Sequence, residues 1–236
     1  MKIKLAQAKS SPDWTMSDLD KALANLKNNK TRDAEGYINE IFKSGVVGTD
    51  LKKSIIIMLN RLKRAKLIAT FMNYTNVTTV PKKGSRIEPK NERGIFRVAV
   101  VRSILMRLIY NMKYPTIDKN MSDCQMGARK KKGCKNNIFI INGLIHDVMK
   151  SKKMKPILLQ IYDYAQMFDS INLEHALSDL FDVGVDDDTL ALIHKANKDV
   201  HMAVRTPSGL KSQRDRLSRT ASYRGIPLVL FLHQCK

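Results

Sequence analysis

The chain has 236 residues and 43% of them are hydrophobic, enough for one large domain or two small ones with a substantial core. Its 42 Lys and Arg against 22 Asp and Glu give a formal net charge of +20. Such an excess predicts a polyanionic partner, most often nucleic acid, although a basic protein without one is the alternative. The longest apolar run, residues 55–59, is far too short to span a bilayer, so we do not expect a membrane protein or a membrane partner.

The cysteines and the N-terminus bear on the compartment. Cys124, Cys134 and Cys235 lie far apart, form no metal-binding pattern and are odd in number, which argues against a disulfide framework. Residues 1–14 lack the apolar core of a signal peptide. We therefore expect an intracellular, reducing location, with nucleus and cytoplasm both open.

The predicted elements, taken in chain order, are mainly helices. Residues 1–12 are expected to be a disordered end, and the first helix begins after Trp14 with Thr15 or Ser17 as its cap. Apolar spacing predicts the following further helices: 37–44, 49–68, 95–114, about 136–150, 173–180 and 188–197. Alternation or continuous apolar character predicts three strands: 75–80, 157–162 and 199–206.

Basic residues concentrate in one helix and two loops. The helix over 49–68 carries six of them, which form either a solvated surface or a nucleic-acid-facing one: Lys52, Lys53, Arg61, Lys63, Arg64 and Lys66. Residues 81–94 and 128–137 are basic loops punctuated by Gly or Pro. The second loop either contacts a nucleic-acid backbone or is a flexible basic surface.

A carboxylate follows the apolar segment ILLQIY. That segment predicts a strand buried on both faces, with Asp163 held rigidly at its end. Magnesium prefers carboxylate and phosphate oxygens, and nucleotidyl transfer uses two such ions, so Asp163 is the candidate catalytic and metal-binding residue. An ordinary acid at a strand end is the alternative. Asp169 precedes a predicted helix, and capping that helix is its commoner role.

The segment from Asp163 to Asp169 resembles motif A of reverse transcriptases, especially those of non-LTR retrotransposons. The family pattern is Asp, three variable residues, a small or apolar residue, an aromatic and Asp, matched here by Asp163, Met167, Phe168 and Asp169. The resemblance implies that Asp163 binds catalytic Mg²⁺. It also implies that Phe168 lies under the nucleotide sugar and disfavours a ribose 2′-hydroxyl, with core packing as the alternative.

Two upstream segments extend the resemblance to roughly residues 13–210. NVTTVPKKGSRIEPKNERGIF is similar to the family's fingers strand, loop and Asn-x-Arg-x-Ile, so Lys82, Lys83 and Arg93 are implied triphosphate contacts. Gly94 stands where the family commonly has Pro. CQMGARKKKG is similar to the Gln-x-Gly-x-Arg segment. It implies that one loop contacts template or primer through Gln125, Gly127, Arg129, Lys130, Lys131 and Lys132.

The resemblance stops after about Leu210. The family's Gln-Gly motif and its aromatic-x-Asp-Asp hairpin do not follow, and the Asp186–Asp188 run sits where it would cap a helix. Codons can be chosen for residues 213–236 that encode a Gln-Gly and a small-residue helix in another frame, so we hypothesise a frameshift. One carboxylate holds two magnesium ions poorly, and we therefore expect little or no polymerase activity from this chain.

These observations predict an α+β fold with reverse-transcriptase-like fingers and an incomplete palm, mainly helical with a small antiparallel palm sheet. Residues 13–155 would form the fingers, 156–210 the partial palm, and 211–236 a poorly ordered tail. The expected partners are RNA template, RNA–DNA duplex and dNTP. The alternative is a non-catalytic basic nucleic-acid-binding module. We also expect exposed apolar surface where the palm is incomplete.

Overall fold

The computed structural model describes residues 11–43, 49–81, 91–127, 129–150, 158–162, 171–198, 200–206 and 209–212. For residues 92, 93, 205, 206 and 209–212 it describes the backbone. Within these ranges the fold is mixed α+β. The helices are α1 (Met16–Ala24), α2 (Asn39–Lys43), α3 (Thr49–Ala65), α4 (Val100–Asn120), α5 (Cys134–Lys150), α6 (Leu173–Asp182) and α7 (Asp187–Lys198). A 3-10 helix, Thr70–Asn73, precedes the strands β1 (Tyr74–Pro81), β2 (Glu92–Val98), β3 (His201–Thr206) and β4 (Gly209–Ser212).

Helix α1 begins as its sequence predicts. The backbone N–H of Thr15 donates to Asp18 Oδ2 at 3.0 Å, and the Asp18 N–H donates to Thr15 Oγ1 at 3.3 Å. This reciprocal pair is a capping box, which satisfies two backbone donors that the helix itself leaves free. Thr15 is therefore the cap, and the prediction of a helix start after Trp14 is confirmed.

The core lies around α4, whose first half is buried on every side. Side chains of α1, α3 and α7 pack against it, and the buried apolar residues include Leu19, Leu23, Leu59, Ile104, Leu105, Leu108, Ile109, Leu192 and Ile193. Burial of a Leu or Ile side chain contributes roughly 1.5–3 kcal/mol, so this cluster is the main source of stability in the described part of the chain. The core joins residues from both predicted regions, the fingers and the partial palm.

The residues just before α1 are also packed. Ser11 is 8% exposed, and its backbone oxygen accepts a hydrogen bond from Lys63 Nζ at 2.9 Å. The Pro12 backbone oxygen accepts a hydrogen bond from the same ammonium group. We expected a disordered end through residue 12, and these two residues are fixed instead because they satisfy a buried lysine. Residues 1–10 lie outside the described part.

The sheet has the strand order β2-β1-β3-β4. Strand β1 is antiparallel to β2, with Thr75 opposite Val98, and parallel to β3, with Tyr74 opposite His201. Strands β3 and β4 are antiparallel. The sheet is thus mixed, whereas we predicted a small antiparallel one. It is built from the two segments that flank the first basic loop, β1 and β2, together with β3 and β4, and residues 158–162 are not part of it.

Two predicted boundaries are wrong for physical reasons. Residues 95–98, expected at the start of a helix, continue β2, because their backbone pairs with β1 in an antiparallel ladder; α4 begins at Val100. Residues 158–162, expected as a buried strand, have no regular structure, and Leu158 is 89% exposed. A strand buried on both faces needs neighbours on each side, and none of the described strands pairs with this segment.

Among the described helices, none is both long enough and apolar enough to cross a membrane.

Candidate nucleic-acid interface

The predicted catalytic and nucleotide-contacting residues fall mostly outside the described part of the chain. This holds for Asp163, Phe168, Lys82 and Lys83. The backbone of Arg93 lies in β2, where its Cα is opposite that of Val80 in β1. Pro81, the last residue of β1, is opposite Glu92. The backbone of Arg93 therefore lies near the open end of the hairpin.

The second basic loop was predicted over residues 128–137, but residues 134–137 belong to α5. We call residues 122–133, with Ala128 outside the described part, the basic loop. Arg129 fixes it to the end of α4. Its Nε donates to Asp118 Oδ1 at 2.8 Å, Nη2 donates to the Asp118 backbone oxygen at 3.2 Å, and Nη1 donates to the Ser122 backbone oxygen at 2.9 Å. Arg129 is only 9% exposed. Its guanidinium, predicted to contact template or primer, is thus engaged within the chain.

Hydrogen bonds within and around the Arg129–Asp118 ion pair favour the ionised form of both residues. The hydrogen bond from Arg129 holds the pKa of Asp118 below its ordinary value, and the Tyr114 hydroxyl, which donates to Asp118 Oδ1 at 3.0 Å, lowers that pKa further. In return, the hydrogen bond to Asp118 raises the pKa of Arg129. Both partners therefore remain ionised across the ordinary pH range, which keeps the anchor charged and intact.

Lys130 is held by the same helix. Its backbone N–H donates to the Tyr114 hydroxyl at 2.8 Å, and its Nζ lies 4.6 Å from the Tyr114 ring centroid and 5.6 Å from that of Tyr110. An ammonium at this distance is attracted by the ring quadrupole by about 0.5–1 kcal/mol at an exposed site. The side chain is exposed and has no acidic partner among the described residues, so its charge stays available to an outside anion.

The remaining residues of the basic loop differ in exposure and in whether their side chains already have a partner. Lys131 is exposed and adopts a left-handed backbone conformation with φ of 62°. Lys132 Nζ lies 3.2 Å from Asp123 Oδ1, so its charge is partly neutralised. The Gln125 side chain donates to the Gly127 backbone oxygen at 3.4 Å. Of the six residues predicted in this loop, Lys130 and Lys131 are the ones whose ammonium groups are exposed and without an acidic partner among the described residues.

The five basic residues of α3, and Lys66 directly after its end, are mostly paired or buried within the chain. Four of them form ion pairs with aspartates, in the pairs Lys52–Asp20 at 2.9 Å, Lys53–Asp50 at 3.4 Å, Lys66–Asp188 at 2.8 Å, and Arg64–Asp13. Lys63 is buried, bonds to the Ser11 oxygen and lies 4.8 Å from the Trp14 ring centroid. Burial lowers the pKa of Lys63. Only Arg61 of the six is exposed without an acidic partner in the described residues, so α3 is a poor candidate for the interface.

The acidic run Asp186–Asp188 serves α7, as its position in the sequence predicts. Asp186 Oδ1 accepts from the Thr189 backbone N–H at 3.1 Å, which caps the helix, and the carboxylate also pairs with Lys113 of α4. Asp188 pairs with Lys66. The described residues contain no group of three or more His, Cys, Asp or Glu side chains that could hold a metal ion. The Mg²⁺ implied by the resemblance would depend on Asp163, which lies outside the described residues.

Sequence reasoning missed the partners that fix the basic loop. Tyr110, Tyr114 and Asp118 follow one another at intervals of four residues on α4, and this spacing places them on one face of the helix. The spacing was visible in the sequence. What the sequence did not show is that the loop after the helix folds back onto that face.

Comparisons with known proteins add no family. No family model matches the chain, and no curated protein matches it.

Proposed function

We propose that this chain is a fragment of an RNA-directed DNA polymerase that keeps the nucleic-acid-binding part of the fingers and has lost polymerase activity. The proposed ancestry rests on the resemblance of its motifs to those of non-LTR reverse transcriptases. The absence of the family's Gln-Gly motif from residues 211–236, where the resemblance would place it, supports the loss of activity. RNA template or RNA–DNA duplex is the proposed ligand.

The observation that carries the binding proposal is the anchored basic loop. Arg129 and Tyr114 fix its backbone to α4, so Lys130 and Lys131 are presented at a defined place without an acidic partner in the described residues. Preorganised ammonium groups gain affinity for phosphate because less conformational freedom is lost when the complex forms. The hairpin of β1 and β2 adds support, since the backbone of Arg93 lies near its open end, opposite Val80.

The second candidate function is a basic nucleic-acid-binding module that never uses a metal. One observation favours it: residues 158–162, which should deliver Asp163 from a buried strand, are exposed and have no regular structure. The two candidates differ at Asp163. Replacing Asp163 with Asn should weaken Mg²⁺-dependent dNTP binding only if the polymerase site survives in part.

Salt-dependent binding tests the shared part of both candidates. Affinity for a labelled RNA–DNA duplex is measured by fluorescence anisotropy over a range of salt concentrations. Each phosphate contact that is lost reduces the slope of log K against log salt by roughly 0.9, so the double variant Lys130→Ala/Lys131→Ala should reduce it by about 2. An unchanged slope would contradict the assignment of the basic loop.

A matched control removes the same charge elsewhere. The double variant Lys52→Ala/Lys66→Ala takes away two ammonium groups that already pair with Asp20 and Asp188. It should leave the slope nearly unchanged, with folding checked by circular dichroism. Equal losses in the two double variants would mean that binding follows net charge and not the loop. Efficient Mg²⁺-dependent primer extension by the wild-type chain would refute the loss of activity.

A further inference from the structure

Phe139 is the most exposed Phe, Tyr or Trp side chain in the described part of the chain, with 80% of its surface open to solvent. The apolar face of α5 is formed by residues at intervals of three and four, namely Ile138, Ile141, Ile145 and Val148. Phe139 is turned away from the middle of that face by roughly a third of a helical turn. Its exposure is therefore a separate feature from that of the apolar face.

The face of α5 that carries Phe139 is otherwise polar and basic. Lys135 lies one turn before the ring, Gly143 lies one turn after it, and His146 lies two turns after it. Lys135 is exposed and pairs with no acid among the described residues. Asp147 is the only acidic residue of α5, and it follows Phe139 by eight residues, or about 12 Å along the helix axis. The ring thus has a positive charge beside it and no acid within two turns along the helix.

Gly143 leaves the ring uncovered. A side chain on a helix lies over the turn that precedes its own Cα, so a side chain at residue 143 would lie over Phe139. A Cβ placed at Gly143 would meet no heavy atom within 4 Å, so a larger residue would fit there. Glycine within a helix also makes that helix less stable than alanine would. The chain therefore has its weakest helix former at a position where a side chain would cover the ring.

The basic loop leads directly into this part of α5. The Gly133 N–H donates to Asn136 Oδ1 at 3.0 Å, and the Asn136 N–H donates to the Gly133 backbone oxygen at 3.0 Å. These two bonds fix the end of the loop to the first turn of the helix. Phe139 follows Gly133 by six residues, or on the order of 9 Å along the axis. The exposed ring and the lysines of the basic loop thus belong to one continuous, hydrogen-bonded segment.

We propose that Phe139 is a stacking position for one unpaired base of a nucleic-acid strand whose phosphates contact Lys130, Lys131 and Lys135. This inference rests on the proposed nucleic-acid binding and adds to it a requirement for a single-stranded segment. Proteins that bind single strands combine basic side chains along the backbone with aromatic rings on which the bases stack. In a duplex both faces of each base are covered by its neighbours, so the ring reaches a base only where the strand is unpaired.

Two ligands that differ only in a single-stranded extension test the proposal. One is an RNA–DNA duplex with blunt ends, and the other is the same duplex with an unpaired RNA extension. Fluorescence anisotropy should show that the wild-type chain prefers the extended ligand. Phe139→Ala should weaken binding of that ligand roughly 5- to 100-fold and leave affinity for the blunt duplex unchanged. The dependence of log K on log salt should keep its slope in this variant, because stacking releases no counterions.

Further variants separate stacking from simple apolar contact. Phe139→Leu lacks the ring and should lose the preference, whereas Phe139→Trp should retain it and its fluorescence should be quenched by the bound base. The other tryptophan, Trp14, is 4% exposed and gives a constant background. Gly143→Leu should stabilise α5 and still weaken binding of the extended ligand, because the new side chain covers the ring. Leu144→Ala removes an exposed side chain from the opposite side of α5 and should change neither affinity.

The outcomes distinguish this inference from the function on which it rests. If the wild-type chain binds both ligands equally while Lys130→Ala/Lys131→Ala still reduces the salt slope, the stacking position is overturned and the nucleic-acid binding stands. Full affinity of Phe139→Leu for the extended ligand, or equal losses in Phe139→Ala and Leu144→Ala, would overturn the stacking position as well. Failure of the wild-type chain to bind either ligand would overturn both proposals.

Discussion

The Nζ atom of Lys130 lies 4.6 Å from the ring centroid of Tyr114, and the backbone N–H of Lys130 donates to the hydroxyl of that same ring at 2.8 Å. One aromatic side chain therefore holds both the main chain and the ammonium group of a loop lysine. The charge is kept close to α4 but is not cancelled, because a ring attracts a cation without neutralising it.

Tyr114→Phe separates these two contacts. The ring and its attraction for Lys130 remain, while the backbone N–H loses its acceptor and Asp118 loses a donor. We expect the Lys130 amide to exchange with deuterium roughly five- to tenfold faster, for the loss of a hydrogen bond worth about 1 kcal/mol. Tyr110→Phe is the control, since its hydroxyl is not the one that accepts from Lys130. Equal exchange in both variants would contradict the anchoring role of Tyr114.

Asn60 links α3 to the residue that precedes α1. Its Oδ1 accepts from the Trp14 backbone N–H and its Nδ2 donates to the Trp14 backbone oxygen, both at 2.9 Å. Asn60→Ala leaves two buried backbone groups without partners and should lower the free energy of unfolding by about 2 kcal/mol. Urea unfolding followed by fluorescence of Trp14, the only tryptophan, measures it. Asn25→Ala removes an exposed amide and should change stability by less than about 0.5 kcal/mol.

Arg102 is a buried cation without a hydrogen-bond partner in the described part of the chain. It is 1% exposed, and none of its three guanidinium nitrogens is bonded. Burial lowers the pKa of Arg102 to about 10, so the group still carries its charge at pH 7. Arg102→Met keeps a long unbranched side chain and should raise the free energy of unfolding by about 2 kcal/mol.

The control for that variant is Arg61→Met, which removes an exposed guanidinium from α3 and should change stability by less than about 0.5 kcal/mol. A loss of stability in Arg102→Met, measured as a lower urea midpoint, would show that an acid outside the described residues pairs with Arg102.

Asp186 makes stability depend on pH. Burial alone would raise the pKa of Asp186, but hydrogen bonds from Lys113 and Thr189 outweigh it and hold that pKa below the ordinary value. A carboxyl group with a lowered folded-state pKa stabilises the fold fully above its unfolded-state pKa of about 3.9 and loses that contribution as pH falls through the folded-state pKa. We expect Asp186→Asn to be up to about 1 kcal/mol less stable at pH 7.

That difference should shrink as pH falls below about 4, where the wild-type carboxyl group becomes protonated. Thermal unfolding of both proteins from pH 3 to pH 7 checks it. Asn is also a good helix cap, so the comparison isolates the charge from the capping of α7. A difference that stays constant over this pH range would assign the effect to packing and not to the ion pair.

The helices could largely be predicted because their signals are local. The capping box at Thr15 and the apolar periodicity of α3 and α7 depend on residues within a few positions of each other. The sheet could not be predicted to the same degree. Residues 95–98 of β2 were predicted as the start of a helix because the apolar residues of IFRVAVV are compatible with either state, and only the ladder to β1 decides the matter. Residues 158–162 have the composition of a buried strand but lack strand neighbours among the described residues.

The candidate interface, like the fold, could be predicted from the sequence only in part. The basic loop could be predicted from the sequence. Arg129 was wrongly expected to contact template or primer, because a sequence shows where charges lie along the chain and not which groups pair with them in the fold. Asp118, which binds that guanidinium, precedes it by 11 residues and lies in the last turn of α4. Likewise, the six basic residues of the segment 49–68 look alike in the sequence. Only their ion pairs with aspartates such as Asp13, Asp20 and Asp188 show that most of these charges are already neutralised.

Because β1 pairs with β3, it cannot complete its place in the sheet until β3 has been synthesised. Tyr74 and His201 are partners although more than a hundred residues separate them in the chain. A ribosome adds about 5–20 residues per second, so β1 waits on the order of ten seconds for its second neighbour. During that interval the β1–β2 hairpin has an open edge, which a chaperone must shield or another nascent chain can occupy. Slower codons between the two strands would lengthen that exposure and lower the yield of folded protein.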